Sequence, residues 1–494
     1  MSEPCATPCG QAVRGCQAVK AVKDHQWGCA VTQSRRSNGK LAAVIAEAGW
    51  SHAQVANAFR RVAAESGARE FMAVGRSHVS HWVAGSTPSG WGPVVLAEAL
   101  SRRVGRVVTV DEIGLGTHAR SSRATPSWDV DTLMALIDLG RADVDPERRH
   151  LLVSTTYSVA ALPLPDGSWW VRMAERGSRR AARGSRAVGR GDLDAVREMA
   201  AMFSRIDQRR GGGHARTAVV QYLTTDVTSY LRGTYADERV RKGMFSAASE
   251  LAYLVGWMAF DNSEHTIAQH YFTVAVKLAA EAGDAPMAGH ILRAMAHQAV
   301  DLGHYQQGLD LAAASLEGQR YQLACPRERA LLGVVHAKAL GATGQRQVAV
   351  AALLRAEDDL SAASPGDEEP SRVFFFGEAS LAHETACTLR DTGDLSGALR
   401  EFRHSVRTRK ATTFTRTHVV TLGYLGAIQM RSGNLDEACA TWTKALDAMD
   451  GIHSGRARNV VHDMRSALSP FRKRNIIAVK EIDERAAVYL AAAP

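Results

Sequence analysis

Residues 251–275 read LAYLVGWMAFDNSEHTIAQHYFTVA, and this stretch decides the fold. Val255 and Gly256 belong to a first helix, and Ala268, Phe272 and Ala275 set a small, a large and a small side chain on a second. Two helices bring their backbones close only where the contact residues are small, so this spacing marks a helical hairpin. Such a hairpin leaves an apolar face bare until another stacks on it, which calls for further copies in the chain.

Further copies are present. Leu425-Gly426 opens a second full match, with Gly433 at the turn and Ala438, Trp442 and Ala445 along the following helix. Three weaker copies lie between: Gly303 at a turn with Gly308, Gly344 with Ala349 and Ala356, and Gly393 with Ala398 and Phe402. The first small positions, at 268, 308, 349, 398 and 438, are 40, 41, 49 and 40 residues apart. This pattern, from about Ala247 to Met449, resembles the tetratricopeptide repeat, with a period longer than the usual ~34 residues. The extra length implies longer helices or inter-repeat loops, and the longest step holds the Pro-, Gly- and acid-containing run Ser361–Arg372, read as a surface loop. Stacked copies of this kind curve and present a concave side for a peptide or protein, while the aromatic and alanine positions named above are packing residues. Helical spacing in Thr217–Leu231 and Lys242–Trp257, and again in Val460–Leu468 and Ile476–Leu490, provides capping helices. The basic patch Arg472–Arg474 fits an exposed edge of the stack.

Toward the N-terminus, Leu41, Val44, Ile45 and Ala48 share one helical face that Gly49 ends. Ser51 is placed to cap a second helix carrying Val55, Ala56, Phe59 and Val62. A third helix is expected over Ser77–Ala84, capped by Ser77 and stopped by Gly85-Ser86-Thr87-Pro88, with an apolar helix following over Pro93–Val104. Arg76, Ser77, His78, Ser80 and His81 are able to donate hydrogen bonds to phosphate oxygens and base edges, and Trp82 is assigned to the core. The same short helix also fits a packing module that no longer touches DNA. Between Val31 and Gly116 ten Lys and Arg stand against six acids, a balance compatible with DNA.

This order resembles the helix-turn-helix of the lambda-repressor-like, or xenobiotic-response-element, regulators over about Lys40–Leu115. The resemblance implies that Arg76, Ser77, His78, Ser80 and His81 take the groove-facing and phosphate positions. The stretch Ala63–Gly75 departs from the family's short turn, and either lengthens the second helix or inserts a loop.

Four regions follow: a disordered leader over 1–37, the helix-turn-helix domain over 38–116, a connecting region over 117–191, and the repeat domain over 192–494. The fold class is all-α, a helix-turn-helix domain followed by a tetratricopeptide-like solenoid. Cys5, Cys9, Cys16 and Cys29, with His25, lack the paired knuckles of common zinc folds, and no disulfide framework is read from them. Arg172–Arg190 holds seven arginines against Glu175 among Gly, Ala and Ser, and reads as a flexible basic tether. Arg148-Arg149 before an apolar run imitates an export signal, but in the chain interior it reads as a buried segment. No apolar run is long enough to span a bilayer, and a cytoplasmic protein without membrane contact is expected. The 60 Lys and Arg against 51 Asp and Glu give a net charge of only +9, so local clusters rather than bulk charge carry any argument for an anionic partner. No phosphate loop, dinucleotide fingerprint, His-Glu-x-x-His or nucleophile elbow is present, and neither enzyme activity, cofactor nor metal is expected.

The pairing of such a head with a repeat body resembles the peptide-responsive regulators of Gram-positive bacteria. The Ala- and Arg-rich composition and the run Arg148–Leu152 followed by Thr155–Leu162 are more similar to the actinobacterial tetratricopeptide regulators that restrain sporulation and antibiotic production. What the resemblance implies is a DNA-binding transcriptional regulator, a repressor of differentiation or secondary metabolism, acting as a homodimer and sensing a peptide or protein through its array. The competing expectation is a scaffold that works through protein partners without an operator of its own.

Overall fold

The computed structural model describes residues 37–65, 69–116, 128–145, 157–159, 162–180, 185–364, 366 and 368–492. The leader with Cys5, Cys9, Cys16 and Cys29, and residues 148–156 of the Arg148-Arg149 stretch, lie outside them; in the rest of that apolar run Tyr157, Val159 and Leu162 are buried. The described chain is all-helical apart from two short strands, Ala187–Val188 and Thr234–Tyr235, paired in parallel. No helix among the described residues is long and apolar enough to cross a membrane.

Five consecutive hairpins build the C-terminal part: Glu238–Asp261 with His265–Ala282, Ala285–Asp301 with Tyr305–Ser315, Pro326–Ala342 with Arg346–Ser361, Glu378–Asp391 with Leu395–Thr408, and Thr415–Arg431 with Leu435–Asp447. Ala268, Gly308, Ala349, Ala398 and Ala438 are buried in them. All five turns are made the same way. Ser263, Gly303, Gly344, Gly393 and Gly433 have φ of 64°, 88°, 81°, 90° and 84°. In each turn the next amide donates back five residues, as from His304 to the Ala299 carbonyl at 2.9 Å and from Asn434 to Gln429 at 2.9 Å. This left-handed cap satisfies the last carbonyls of the first helix and points the chain into the second. The turn residue lies five positions before the small contact residue in every copy, so one local device sets the register of all five.

The close approach is visible at Gly256, where a Cβ would lie 2.7 Å from the Phe272 ring, and at Gly426, where it would lie 2.4 Å from Trp442 Nε1. Gly256→Ala is therefore expected to cost about 1–3 kcal/mol through overpacking, seen as a lowered urea midpoint. An unchanged midpoint would show that the hairpin can widen freely.

The 49-residue step ends inside the protein. Arg372 holds Glu328 through two hydrogen bonds of 2.7 and 2.9 Å, Arg327 reaches Glu369 at 2.6 Å, and Phe376 is buried. The reading of Ser361–Arg372 as a surface loop is corrected at its C-terminal end, because the Arg372 charge finds a buried carboxylate.

The basic tether is also corrected. Residues 167–179 form a helix whose Trp169, Met173 and Gly177 repeat every four positions and are buried against the first hairpin. Arg180 then pairs with Glu281 at 2.7 Å and Asp131 at 3.0 Å. A segment too poor in apolar residues to fold alone folds here on a neighbour, with one apolar stripe and a half-buried, doubly paired arginine. The helix Thr132–Val144, capped by Asp131, lies on the same side and is pinned by Arg216 to Asp143 at 2.6 Å.

The hairpins curl until the last meets the first. Arg416 of the fifth hairpin reaches Asp261 of the first at 2.8 Å and Asp207 of the helix Arg190–Arg210 at 3.1 Å. Beside it the His453 amide donates to the Arg210 carbonyl at 2.7 Å, and the Gly213 amide to the His453 carbonyl at 2.9 Å. The helix Gly455–Leu468 seals the joint, its Gly455 packed against Asn262 so closely that a Cβ would lie 2.7 Å from that backbone. Apolar packing is not continuous across this seam. One core runs through the first three hairpins, and a separate core serves the fifth hairpin and the helices after it. Buried charge and backbone hydrogen bonds thus join the two ends of the array.

Candidate nucleic-acid interface

Four helices form the head: α1 (Gly39–Glu47), α2 (His52–Glu65), α3 (Arg76–Val83) and α4 (Gly92–Val104). Leu41, Val55, Phe59, Val79, Leu96 and Leu100 are fully buried at their centre. Phe59 meets Phe71 and Trp82 at ring separations of 5.5 and 5.2 Å, which ties α2, α3 and the turn before α3 into one cluster. Trp82 is 6 % exposed and belongs to this core.

The starts of α1, α2 and α3 are each capped by a side chain. Asn38 Oδ1 accepts from the Leu41 amide at 3.0 Å while Nδ2 donates to the Ile113 carbonyl at 2.9 Å, tying the first turn of the head to its last. Ser51 caps α2, with the Ser51 amide donating to Gln54 Oε1 at 2.8 Å. For α3 the sequence placed the cap at Ser77. The helix instead starts at Arg76, and His78 Nδ1 accepts from the Gly75 amide at 3.2 Å. Ser77 lies one residue inside the helix, so its hydroxyl is left on the outer surface.

The connection before α3 takes both forms that its length allowed. Helix α2 runs on to Glu65, and a 3-10 turn, Arg69–Phe71, follows and drives Phe71 into the core. Arg60 reaches across to the Val74 carbonyl at 2.8 Å and fixes the approach to α3.

On α3, Val79 and Trp82 face inward. Arg76, Ser77, His78 and His81 are exposed, with Ser77 and His81 one helical turn apart. Ser80 is only half-exposed and lies 2.9 Å from His52 Nδ1, so it locks α3 to the start of α2. His52 was not marked by the sequence, since a histidine at a helix start has no pattern that separates it from a surface residue.

Two arginines of the head take up four of its six acids. Arg106 pairs with Glu47 and Glu112, both at 2.7 Å, and Arg102 with Glu65 and Glu98 at 2.7 and 2.8 Å. Arg103 donates to the Ala48 carbonyl at 3.0 Å and lies over the Trp50 ring. Among the described residues, Lys40, Arg61 and Arg76 are exposed cations of the head.

Helix α4 faces the array. Buried Glu98 lies 2.7 Å from His304 Nε2 in the turn of the second hairpin, and Tyr157 stacks on the same imidazole with ring centres 5.7 Å apart. Burial alone would raise the Glu98 carboxyl, but His304 and Arg102 outweigh it and hold the group below the usual carboxylate range. Its contribution to stability is present above that range and is lost as the pH falls through the lowered value. Glu98→Gln is expected to destabilise the head's contact with the array by about 1–3 kcal/mol, and to flatten this acid-side loss in a melt followed from pH 3 to 7. Equal slopes for variant and wild type would rule out the contact as a source of pH dependence.

Residues 41–116 match a family described as the SP15 N-terminal domain, so the likeness covers the four helices of the head and the segment after them. No curated protein matches the chain.

Proposed function

We propose that the chain is a DNA-binding transcriptional regulator, a repressor of differentiation or secondary metabolism, with a helix-turn-helix head and a tetratricopeptide-like array that senses a peptide or protein. The observation that carries this reading is the outer face of α3, where Arg76, Ser77, His78 and His81 are exposed on a short helix anchored from behind by Val79 and Trp82. A helix held by its apolar side, with donors on the other, is suited to the major groove. Contact between α4 and the second hairpin gives the array a route to the head, provided that two arrangements differ in DNA affinity.

Chromatin immunoprecipitation of the full chain tests the reading. Enrichment at discrete promoter sites is expected, and its absence would remove DNA binding from the function. Paired half-sites call for a dimer, so light scattering at micromolar concentration is expected to give twice the chain mass of 53.2 kDa.

A second reading, an interaction scaffold, draws on Val348, Val350 and Leu354 of the third hairpin, which are 47 %, 45 % and 55 % exposed. That reading gains if charged substitutions there abolish partner capture while promoter occupancy is nil.

A further inference from the structure

Within the curl of the array lies a cavity of about 50 Å³. At roughly 10–15 Å³ for each water-sized group it takes about three to five of them, the size of one carboxylate with its first carbon neighbour. Trp257, Phe375 and Phe376 supply apolar wall. The polar wall holds three arginines from distant parts of the chain: Arg293 of the second hairpin, Arg409 just after the fourth, and Arg456 in the helix that seals the seam.

None of these three makes an ion pair among the described residues. Arg293 is 1 % exposed and donates to Tyr253 Oη at 2.9 Å and to His290 Nε2 at 3.0 Å, lying over Trp257. Burial, with Arg293 adding to it, pushes the His290 pKa down to about 3, so this acceptor is neutral. Arg409 is 7 % exposed and donates to the Ala379 carbonyl at 2.7 Å and the Ser405 hydroxyl at 3.0 Å, again neutral partners. Arg456 is half-buried, with the Phe260 ring 5.6 Å away. The Nε atoms of Arg293 and Arg409 are buried and unpartnered.

Arg293 and Arg409 have no carboxylate in ion-pair contact among the described residues, whereas Asp301, Asp261 and Glu384 act on Arg456 from a greater distance. Arg416 also lines the cavity, but Asp207 and Asp261 pair with it, and Glu384 is the one carboxylate in the wall. The buried guanidinium groups of Arg293 and Arg409 are thus left with neutral partners. Proteins rarely bury unpaired charge without cause, since each such ion costs several kcal/mol. Planar guanidinium groups match a planar carboxylate through paired N–H donors.

We propose that this cavity is a carboxylate-binding site, in which Arg293, Arg409 and Arg456 receive the carboxylate and Trp257 and Phe376 the apolar group attached to it. Arg456 also borders a second cavity of about 580 Å³, which leaves space for the rest of the molecule. The carboxylate belongs either to a small apolar acid or to the C-terminus of a peptide. The site stands on the array alone and is independent of whether the head reads DNA.

The test uses the full chain with sodium benzoate as probe, sodium chloride at matched ionic strength, benzyl alcohol as the neutral isostere, and inorganic phosphate. Benzoate is expected to raise Tm with concentration while chloride and benzyl alcohol do not. By calorimetry, Arg456→Met is expected to weaken benzoate at least tenfold, and Arg456→Lys less, because the charge stays while the fork is lost. Among the described residues Arg456 is in no ion pair, so both variants retain the seam contacts of Arg416 with Asp207 and Asp261. A benzoate response no larger than that of chloride, a response to phosphate alone, or full benzoate affinity in Arg456→Met would overturn the site. The tripeptide Gly-Leu-Phe, free and amidated, separates the sources. Tighter binding than benzoate that amidation abolishes assigns a peptide terminus, and weaker binding assigns a small acid; either supports the site.

Discussion

Arg416→Met is expected to be the most damaging single substitution in the array, at about 3–5 kcal/mol. The guanidinium lies between Asp207 and Asp261, and its loss would leave the two carboxylates facing each other with only the more distant Arg456 as counter-charge. The buried apolar clusters on the two sides of the seam are separate. Thermal unfolding checks this, with a lowered Tm and an earlier, separate transition for the last hairpins, because their core is distinct from that of the first three. A Tm within a degree or so of wild type would show that the ends of the array hold together without the arginine.

The same triad sets a pH dependence of opposite sign to that of Glu98. Burial, with Asp261 adding to it against the pull of Arg416, raises the Asp207 pKa to about 6. A raised folded pKa means stability present below the unfolded value and lost as pH rises through the folded one. The seam is therefore tighter near pH 4.5 than near pH 7.5. Asp207→Asn removes this slope while leaving Asp261 to pair with Arg416, so its Tm relative to wild type is expected to rise across that interval.

The second large effect concerns DNA. Arg76→Ala, Ser77→Ala and His78→Ala together are expected to weaken binding to an immunoprecipitated promoter fragment by at least about a hundredfold, given roughly 1–3 kcal/mol for each direct contact. These side chains are exposed, and α3 is held by Val79, Trp82 and the Ser80–His52 contact, so the helix should survive. Circular dichroism and an unchanged Tm would show that it does. Unaltered binding by a folded triple variant would deprive α3 of its role. His78 also caps α3, so His78→Gln, which keeps a cap acceptor, separates lost contact from a frayed helix.

Much of the fold could be read from the sequence because its devices are local. A turn residue at 303, 344, 393 or 433 and a small residue five positions later lie within a single hairpin, and Val79 and Trp82 define the buried side of α3 within four residues. Other features depend on residues far apart. Nothing near Arg416 in the chain announces Asp207 or Asp261, and Arg293, Arg409 and Arg456 share no spacing at all. The arginine-rich segment misled for a related reason. Composition reports whether a stretch can fold alone, whereas Trp169, Met173 and Arg180 fold against a surface supplied elsewhere. In the head, the candidate residues were legible on α3, but the withdrawal of Ser80 to His52 and of His78 to the helix start is set by contacts and caps.

An open stack of repeats can gain or lose a unit at either end and keep its remaining interfaces. Here Arg416, at the start of the fifth hairpin, must meet Asp261 of the first, and no other number of hairpins places it there. Deleting a hairpin would pull that meeting point away by one whole repeat, and duplicating one would overshoot it. Length variation is then confined to the linkers between helices, which is where the additional residues of the 49-residue step are found. The count of units has become part of the tertiary structure, as fixed as a side chain in the core.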